Sequence, residues 1–337
     1  MAQLQTIGIL GAGAWGTALA QVAARAGRRV VLWARDPQLV RALRQDRVNP
    51  RHLAGITLEP ALEASSELTA AAAADLLLLA VPAQSLRMLI RQLPAGAAPL
   101  VIAAKGLETA TGQRLSQIVA GERPDSRIAV LSGPNFAGEV AQGLPAATTL
   151  GCADPQLGEE IAAALSGASF RVYWTDDVIG VEIGGAVKNV LAIAAGIVAG
   201  RGLGENARAG LITRGLAELA RLGEAEGGRR ETLMGLSGLG DLILSASSLT
   251  SRNMAFGHAI GRGADPQELR ARPGPLVEGV FTAAAVTRRA QQLGIDLPIC
   301  AAVDAILAGR LDIDAALAGL MSRPLKMEPE GPPDRDL

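Results

Sequence analysis

Two regimes of apolar patterning divide the chain. Up to about residue 177, short apolar runs alternate with helical stretches. The runs predict strands at 6–10, 30–33, 76–82, 100–104, 128–131, 146–151 and 170–173. Between them lie predicted helices at 17–26, 39–46, 68–74, 85–93, 114–120 and 155–165, with a further helix starting near 137 and a turn-rich stretch at 49–59. Strands alternating with helices predict a mostly parallel sheet. From 178 the strand signals stop and helices follow one another: 178–200, 206–225, 229–235, 241–248, 252–261, 266–270, 279–293, 298–308 and 312–320. The expected architecture is an α/β domain at 1–177, an all-helical domain at 178–326 and a polar tail at 327–337.

The stretch 178–200 is apolar, rich in Gly and Ala, and carries two charges, Glu182 and Lys188. Among 32 Lys+Arg residues only Lys105, Lys188 and Lys326 are lysine. Lys326 stands at the edge of the polar tail, while the other two sit in apolar, glycine-containing surroundings. Arginine stays protonated in proteins, whereas a desolvated lysine can approach neutrality near physiological pH. A chain that otherwise uses arginine points to an adjustable ammonium, or a compact point charge, at 105 and 188; chance is the competing reading for either alone.

Composition narrows the classes. With 337 residues and 49% hydrophobic content there is ample core for two domains. The formal net charge of -1 gives no global case for binding nucleic acid. Cys152 and Cys300 stand far apart, as do His52 and His258, so no metal-ligand spacing and no Ser-His-Asp triad is expected. No secretory leader is evident, and Gly or charge interrupts the apolar stretches before they reach about 20 residues. A cytoplasmic protein without a membrane span is expected, and the Ala/Gly-rich helices leave a homodimer open.

The first strand runs straight into Gly11-Ala12-Gly13-Ala14-Trp15-Gly16, then a helix and a second strand. That is G-x-G-x-x-G in the context of a Rossmann-type dinucleotide-binding unit. The first Gly permits the turn, the second lets backbone approach a pyrophosphate, and the third lets helix pack on strand. Arg35 and Asp36 end the second strand. An arginine there suits the 2′-phosphate of NADPH, and an acid the ribose hydroxyl of NADH. Arg35 favours NADPH, and Asp36 keeps NADH open.

Lys105 follows a predicted strand, where ligands of open α/β sheets bind. Ser132-Gly133-Pro134-Asn135-Phe136-Ala137 forms a similar strand-end loop. In the helical half, Lys188-Asn189, the stretch from Gly238 to Ser245, and Ser251-Arg252-Asn253 carry polar groups that apolar packing does not explain. Asp241 has two readings: a helix N-cap, or the partner that holds and tunes Lys188. Ser251-Arg252-Asn253 reads either as a helix start or as a phosphate site with a bidentate Arg. A lysine in an apolar helix could serve as acid or base in hydride chemistry.

These motifs stand in order along the chain with Gly184-Gly185-Ala186-Val187-Lys188-Asn189 and Val277-Glu278-Gly279. The series resembles the bacterial NAD(P)-dependent glycerol-3-phosphate dehydrogenases from residue 7 to about 300. The resemblance implies reversible reduction of dihydroxyacetone phosphate to sn-glycerol 3-phosphate for glycerophospholipid synthesis. It implies Lys188 as proton acceptor and donor, and substrate contacts at Lys105, Gly133, Asn135, Asp241, Ser251, Arg252 and Asn253. Asn189 and Ser245 match weaker polar positions. The implied cofactor positions are Ala14, Trp15, Arg35, Lys105, Ala137, Arg252, Leu276 and Glu278, beside Gly11, Gly13 and Gly16 of the loop.

Two positions depart from the family pattern: Asn135 stands where Ser or Thr is common, and Ala14 where Ser is frequent. Two rival functions remain open from sequence. One is a related dehydrogenase of a ketopantoate- or hydroxy-acid-like substrate; the other is a cofactor sensor without catalysis.

Overall fold

The computed structural model describes residues 4–96 and 98–325. The expected tail, with Lys326, lies outside the described residues.

The α/β half runs β1 (Thr6–Leu10), α1 (Ala14–Arg25), β2 (Arg29–Trp33), α2 (Pro37–Gln45), β3 (Leu62–Ser65), α3 (Leu68–Ala72) and β4 (Leu76–Leu79). It continues with α4 (Leu86–Gln92), β5 (Leu100–Ile102), α5 (Leu115–Glu122), β6 (Ile128–Ser132), α6 (Ala137–Gln142), β7 (Ala146–Cys152), α7 (Pro155–Leu165) and β8 (Phe170–Thr175). All eight strands form one sheet in the order β3-β2-β1-β4-β5-β6-β7-β8. The first six are parallel in the 3-2-1-4-5-6 order of a Rossmann-type sheet. β7 then runs antiparallel to β6, and β8 parallel to β7.

Both faces are covered, which is why the strands read as unbroken apolar runs. Leu76 and Leu78 enter the cluster on one face with Ile7, Ile9 and Val101. Leu77 and Leu79 enter the other with Leu10, Leu100 and Ile102. β1 lies between β2 and β4, its last residue opposite Trp33 and Leu79. The chain therefore leaves β1 at the middle of the sheet's carboxyl edge.

From Val178 every described element is helical. α8 (Val178–Gly200) and α9 (Gly204–Ala225) lead to α10 (Arg230–Leu233), a π turn at Leu236–Gly240, and α11 (Asp241–Ala246). Then come α12 (Arg252–Gly261), α13 (Pro266–Ala271), α14 (Glu278–Leu293), α15 (Pro298–Leu307) and α16 (Ile313–Met321). The chain is thus an N-terminal Rossmann-type α/β domain followed by a helical C-terminal domain.

α8 is the axis of the second half. It is long and apolar enough to cross a bilayer, contrary to the expectation that no stretch reaches that length, yet protein buries it. Glycines make the burial tight. A Cβ at Gly196 would stand 2.2 Å from Met254 O, and one at Gly257 2.0 Å from Ile193 O. α8 and α12 therefore cross with backbones nearly touching, a contact that any larger side chain would wedge apart. Glu182, the second charge of α8, is held by Ser116 N–H at 2.9 Å, Ser116 Oγ at 2.5 Å and Arg114 at 3.3 Å.

Candidate active site

The loop after β1 has the backbone that its glycines allow. Gly11 has φ 118°, a left-handed value that disfavours a side chain. A Cβ on Gly16 would lie 1.8 Å from Gly11 O, while one on Gly13 would meet nothing within 4 Å. The first and third glycines are closed by protein; the second faces open space. α1 starts at Ala14, three residues earlier than expected, with no side-chain cap. Its first ladder bond runs from Thr17 N–H to Gly13 O at 2.9 Å, so the preceding N–H groups lack ladder partners. A positive helix end beside an open glycine fits a pyrophosphate. Trp15 Nε1 is buried with no partner among the described residues.

Asn49 was not singled out from sequence, where it reads as a turn residue. It is fully buried, and its Nδ2 donates to Ala12 O at 3.0 Å and Thr17 Oγ1 at 2.8 Å. It fastens the 47–53 loop under the glycine turn.

The strand-end acid has a structural task as well. Asp36 Oδ1 accepts from Gln38 N–H at 2.8 Å as the N-cap of α2, and Oδ2 lies 2.6 Å from Arg51 Nη1. Arg35 is exposed. A local signal for the cap was available: Asp-Pro-Gln recurs at 36–38, 154–156 and 265–267, and each Asp caps a helix.

A second group gathers where β5, β6, α8 and α11 meet. Lys105 follows β5; its Nζ donates to Gly133 O at 2.9 Å and to Asp241 Oδ2 at 2.5 Å. Lys188 Nζ lies 3.0 Å from Asp241 Oδ1 and donates to Ser245 Oγ at 2.7 Å. Ser245 donates in turn to Asp241 Oδ1 at 3.3 Å. Asp241 makes no side-chain cap: it is the first residue of α11, entered directly from the π turn, in which Gly240 N–H bonds Gly235 O at 3.0 Å. The cap reading of Asp241 is thereby set aside. Such π turns are frequent at functional sites, and this one leads directly into the carboxylate that faces two lysines.

Burial pushes the Lys188 ammonium down from its ordinary value; Asp241 pulls it back up, and Lys105 and Arg252 lower it further, leaving it at about 8. Burial alone would push the Asp241 carboxyl up, but the two lysines outweigh it and hold the group below its ordinary value. Asp241 is therefore an anion that anchors two cations.

The remaining residues form a rim. Asn135 Nδ2 donates to Ala147 O at 3.2 Å, and its Oδ1 is buried without a partner among the described residues. Asn253 Nδ2 donates to Asn189 Oδ1 at 2.8 Å, and Asn253 Oδ1 accepts from Gly279 N–H at 2.9 Å. Ser251 caps α12 by accepting from Met254 N–H at 3.4 Å. Arg252 points outward, and its charge acts on Lys188, Glu278 and His52. Glu278 begins α14; its Oε1 accepts from Ala83 N–H at 3.2 Å, its Oε2 has no partner among the described residues, and burial pushes its pKa up. Leu276 is half-buried just before it, and Ala137 opens α6. A separate cavity of ≈ 390 Å³ is lined by Arg29, Arg44 and Glu63 among others, and contains none of these groups.

Comparison with known proteins matches this architecture along nearly the whole chain. Residues 6–158 match the family model for the NAD-dependent glycerol-3-phosphate dehydrogenase N-terminus, and residues 177–318 that for its C-terminus. A Rhodospirillum rubrum protein named glycerol-3-phosphate dehydrogenase [NAD(P)+] is 51% identical over 96% of this chain and 93% of its own. One of the same name from Methylobacterium radiotolerans is 53% identical over 96% and 98%. The crystal structure of a Coxiella burnetii glycerol-3-phosphate dehydrogenase superposes with a TM-score of 0.90 at 40% identity, covering 95% of this chain and 99% of that one. A Ralstonia eutropha ketopantoate reductase shares only the fold, at 19% identity and a TM-score of 0.56. With both family models matched in order, the chain belongs to the NAD-dependent glycerol-3-phosphate dehydrogenase family.

Proposed function

We propose that this chain reversibly reduces dihydroxyacetone phosphate to sn-glycerol 3-phosphate, with Lys188 giving the proton in reduction and taking it back in oxidation. The observation that carries this reading is the buried Lys188–Asp241–Lys105 cluster at the carboxyl end of β5 and β6. The names of the relatives at about half identity support the substrate.

Bound NADPH or NADH supplies the hydride that reduces the ketone carbon. Gly11, Gly13, Ala14, Trp15 and Gly16 would hold its pyrophosphate, and Arg35 its adenosine end. Lys105, Ala137, Arg252, Leu276 and Glu278 would border the rest.

A ketone that gains hydride becomes an alkoxide and needs a proton within reach. Lys188 Nζ has three N–H bonds; Ser245 and Asp241 take two, which leaves the third for the substrate oxygen. As that N–H bond breaks, the O–H bond forms and the electron pair stays on Nζ. Lys105 likewise gives two of its N–H groups to Gly133 and Asp241 and keeps one for substrate. Asn189 and Asn253 each retain an amide hydrogen, and Ser251 its hydroxyl hydrogen, so all can donate to the phosphate alongside Arg252. Asn135 lies beside the same loop as Gly133 and would border the substrate.

In this reading residues 1–177 hold most of the cofactor and 178–326 supply the proton-transfer group, with Lys105 reaching the substrate from the first part and Arg252, Leu276 and Glu278 bordering the cofactor from the second. Both cysteines are free thiols, consistent with a reducing cytoplasm and a place in glycerophospholipid synthesis. A steady-state assay with dihydroxyacetone phosphate and NADPH or NADH in turn tests it. Turnover is expected, with NADPH preferred. Reduction of an unphosphorylated ketone with none of dihydroxyacetone phosphate would overturn it.

A further inference from the structure

We propose that Arg51 tunes discrimination between phosphorylated and unphosphorylated adenosine ribose by masking the carboxylate of Asp36. The inference rests on the cofactor placement proposed above, with the adenosine end at the close of β2.

An acid at this place in a βαβ unit serves NADH in two ways: it accepts from the ribose hydroxyls, and its charge repels a 2′-phosphate. Both services are weakened here. Asp36 Oδ1 is committed to Gln38 N–H at 2.8 Å, and Oδ2 to Arg51 Nη1 at 2.6 Å. The cap bond leads the influences that keep this carboxyl below its ordinary value, with burial opposing and Arg51 assisting. Asp36 is thus a neutralised anion next to the exposed Arg35, and the local balance favours a phosphate.

The loop that carries Arg51 is built to present it. Asn49 is fully buried and fastened to Ala12 O and Thr17 Oγ1. Its Oδ1 accepts from His52 N–H at 3.2 Å, and Asn49 and Leu53 form an isolated bridge. Arg47 holds the loop's entry at φ 55°, a left-handed value for a non-glycine residue, and donates to Leu62 O at 2.8 Å. The anchor that seats the glycine turn therefore also sets Arg51 over Asp36. The charged or titratable neighbours that bear on this point are Arg35, Asp36, His52 and, through its effect on His52, Arg252.

Calorimetric titration of NADPH and NADH into the wild type, Arg51→Ala, and Arg51→Ala with Asp36→Asn tests the masking. Asparagine keeps the cap and removes the charge. Arg51→Ala is expected to raise Kd for NADPH relative to Kd for NADH by about fivefold, the scale of one exposed ion pair. The double variant is expected to regain most of that loss, and added salt to shrink the difference. An unchanged ratio in Arg51→Ala overturns the inference, as does a double variant no better than the single one, which would leave Arg51 acting by direct contact alone. The result is read as a change in ratio, so a wild type that prefers NADH contradicts the proposed NADPH preference without touching it. A wild type that binds neither cofactor overturns the placement and the inference together.

Discussion

Lys188 Nζ and Asp241 Oδ1 stand 3.0 Å apart across the junction of α8 and α11, both side chains almost entirely withdrawn from water. With burial leading the downward influences and Asp241 opposing them, Lys188 sits at about 8 rather than its ordinary 10.5. As a proton donor it must start charged. Reduction should be flat below about pH 8 and fall by about tenfold per unit above it. Oxidation needs the neutral amine and should rise through the same pH. A reduction limb that shows no break between pH 7 and 9.5 would remove Lys188 from proton transfer. The same shift bears on stability: the unfolded chain holds more protons between pH 8 and 10.5. The cost of burying this ammonium is therefore full below about pH 8 and fades as pH rises.

Asp241→Asn separates tuning from presence. The variant removes the anion that pulls Lys188 up, so its pKa should drop further and the reduction limb should move to lower pH. It also leaves the buried Lys188 and the part-buried Lys105 ammonium groups facing a neutral amide. Losing one partner of a buried pair costs about 3–5 kcal/mol, which a denaturant midpoint would register. A destabilised variant with an unmoved pH limb would make Asp241 a structural anchor only.

Lys188→Ala should lower turnover by at least about 10²–10⁴-fold, the usual worth of a general acid. The glycine turn lies on β1 and α1, away from this side chain, so NADPH affinity measured by titration should remain close to the wild type. Undiminished turnover would sink the proposed mechanism.

How far the fold could be read depended on whether a residue's task was local. β4 and β5 are buried on both faces, so Leu76–Leu79 and Leu100–Ile102 announce themselves. β3 did not: Leu62-Glu63-Ala64-Ser65 is a short edge strand with one large apolar side chain, next to a turn-rich stretch. α1 begins inside the glycine motif because Ala14 to Gly16 both turn the chain and start the helix. Lys188 was conspicuous as a cation in an apolar helix. Its bond to Ser245 and the shared use of Asp241 by Lys105 join residues far apart in sequence, and no local pattern encodes them. Asn49 shows the same limit: a turn asparagine and a buried anchor are one letter.

Gly257→Ala tests the α8–α12 crossing. The new Cβ would stand 2.0 Å from Ile193 O, a backbone atom that cannot swing away. Overpacking of this kind costs about 1–3 kcal/mol, and it would also displace the Ser251–Asn253 turn that opens the same helix. Gly210→Ala is the opposite case, in an exposed stretch of α9 with nothing within 4 Å of the added carbon. It should stabilise by about 0.5–1 kcal/mol. Urea midpoints shifting in opposite directions would support the close crossing; equal shifts would refute it.

Arg252→Ala isolates phosphate recognition from chemistry. The guanidinium is exposed at the start of α12, so its loss should leave the denaturant midpoint within about 0.5 kcal/mol. A charge-assisted bond to phosphate is worth about 1.5–3 kcal/mol, so KM for dihydroxyacetone phosphate should rise by about ten- to a hundredfold. Arg252 also helps to lower Lys188, so the reduction limb should move slightly to higher pH. The wild-type KM should climb with ionic strength, and the variant's should climb less, because one of the screened charges is gone. An unchanged KM with a fallen kcat would place Arg252 in orienting the reacting groups instead of holding the phosphate.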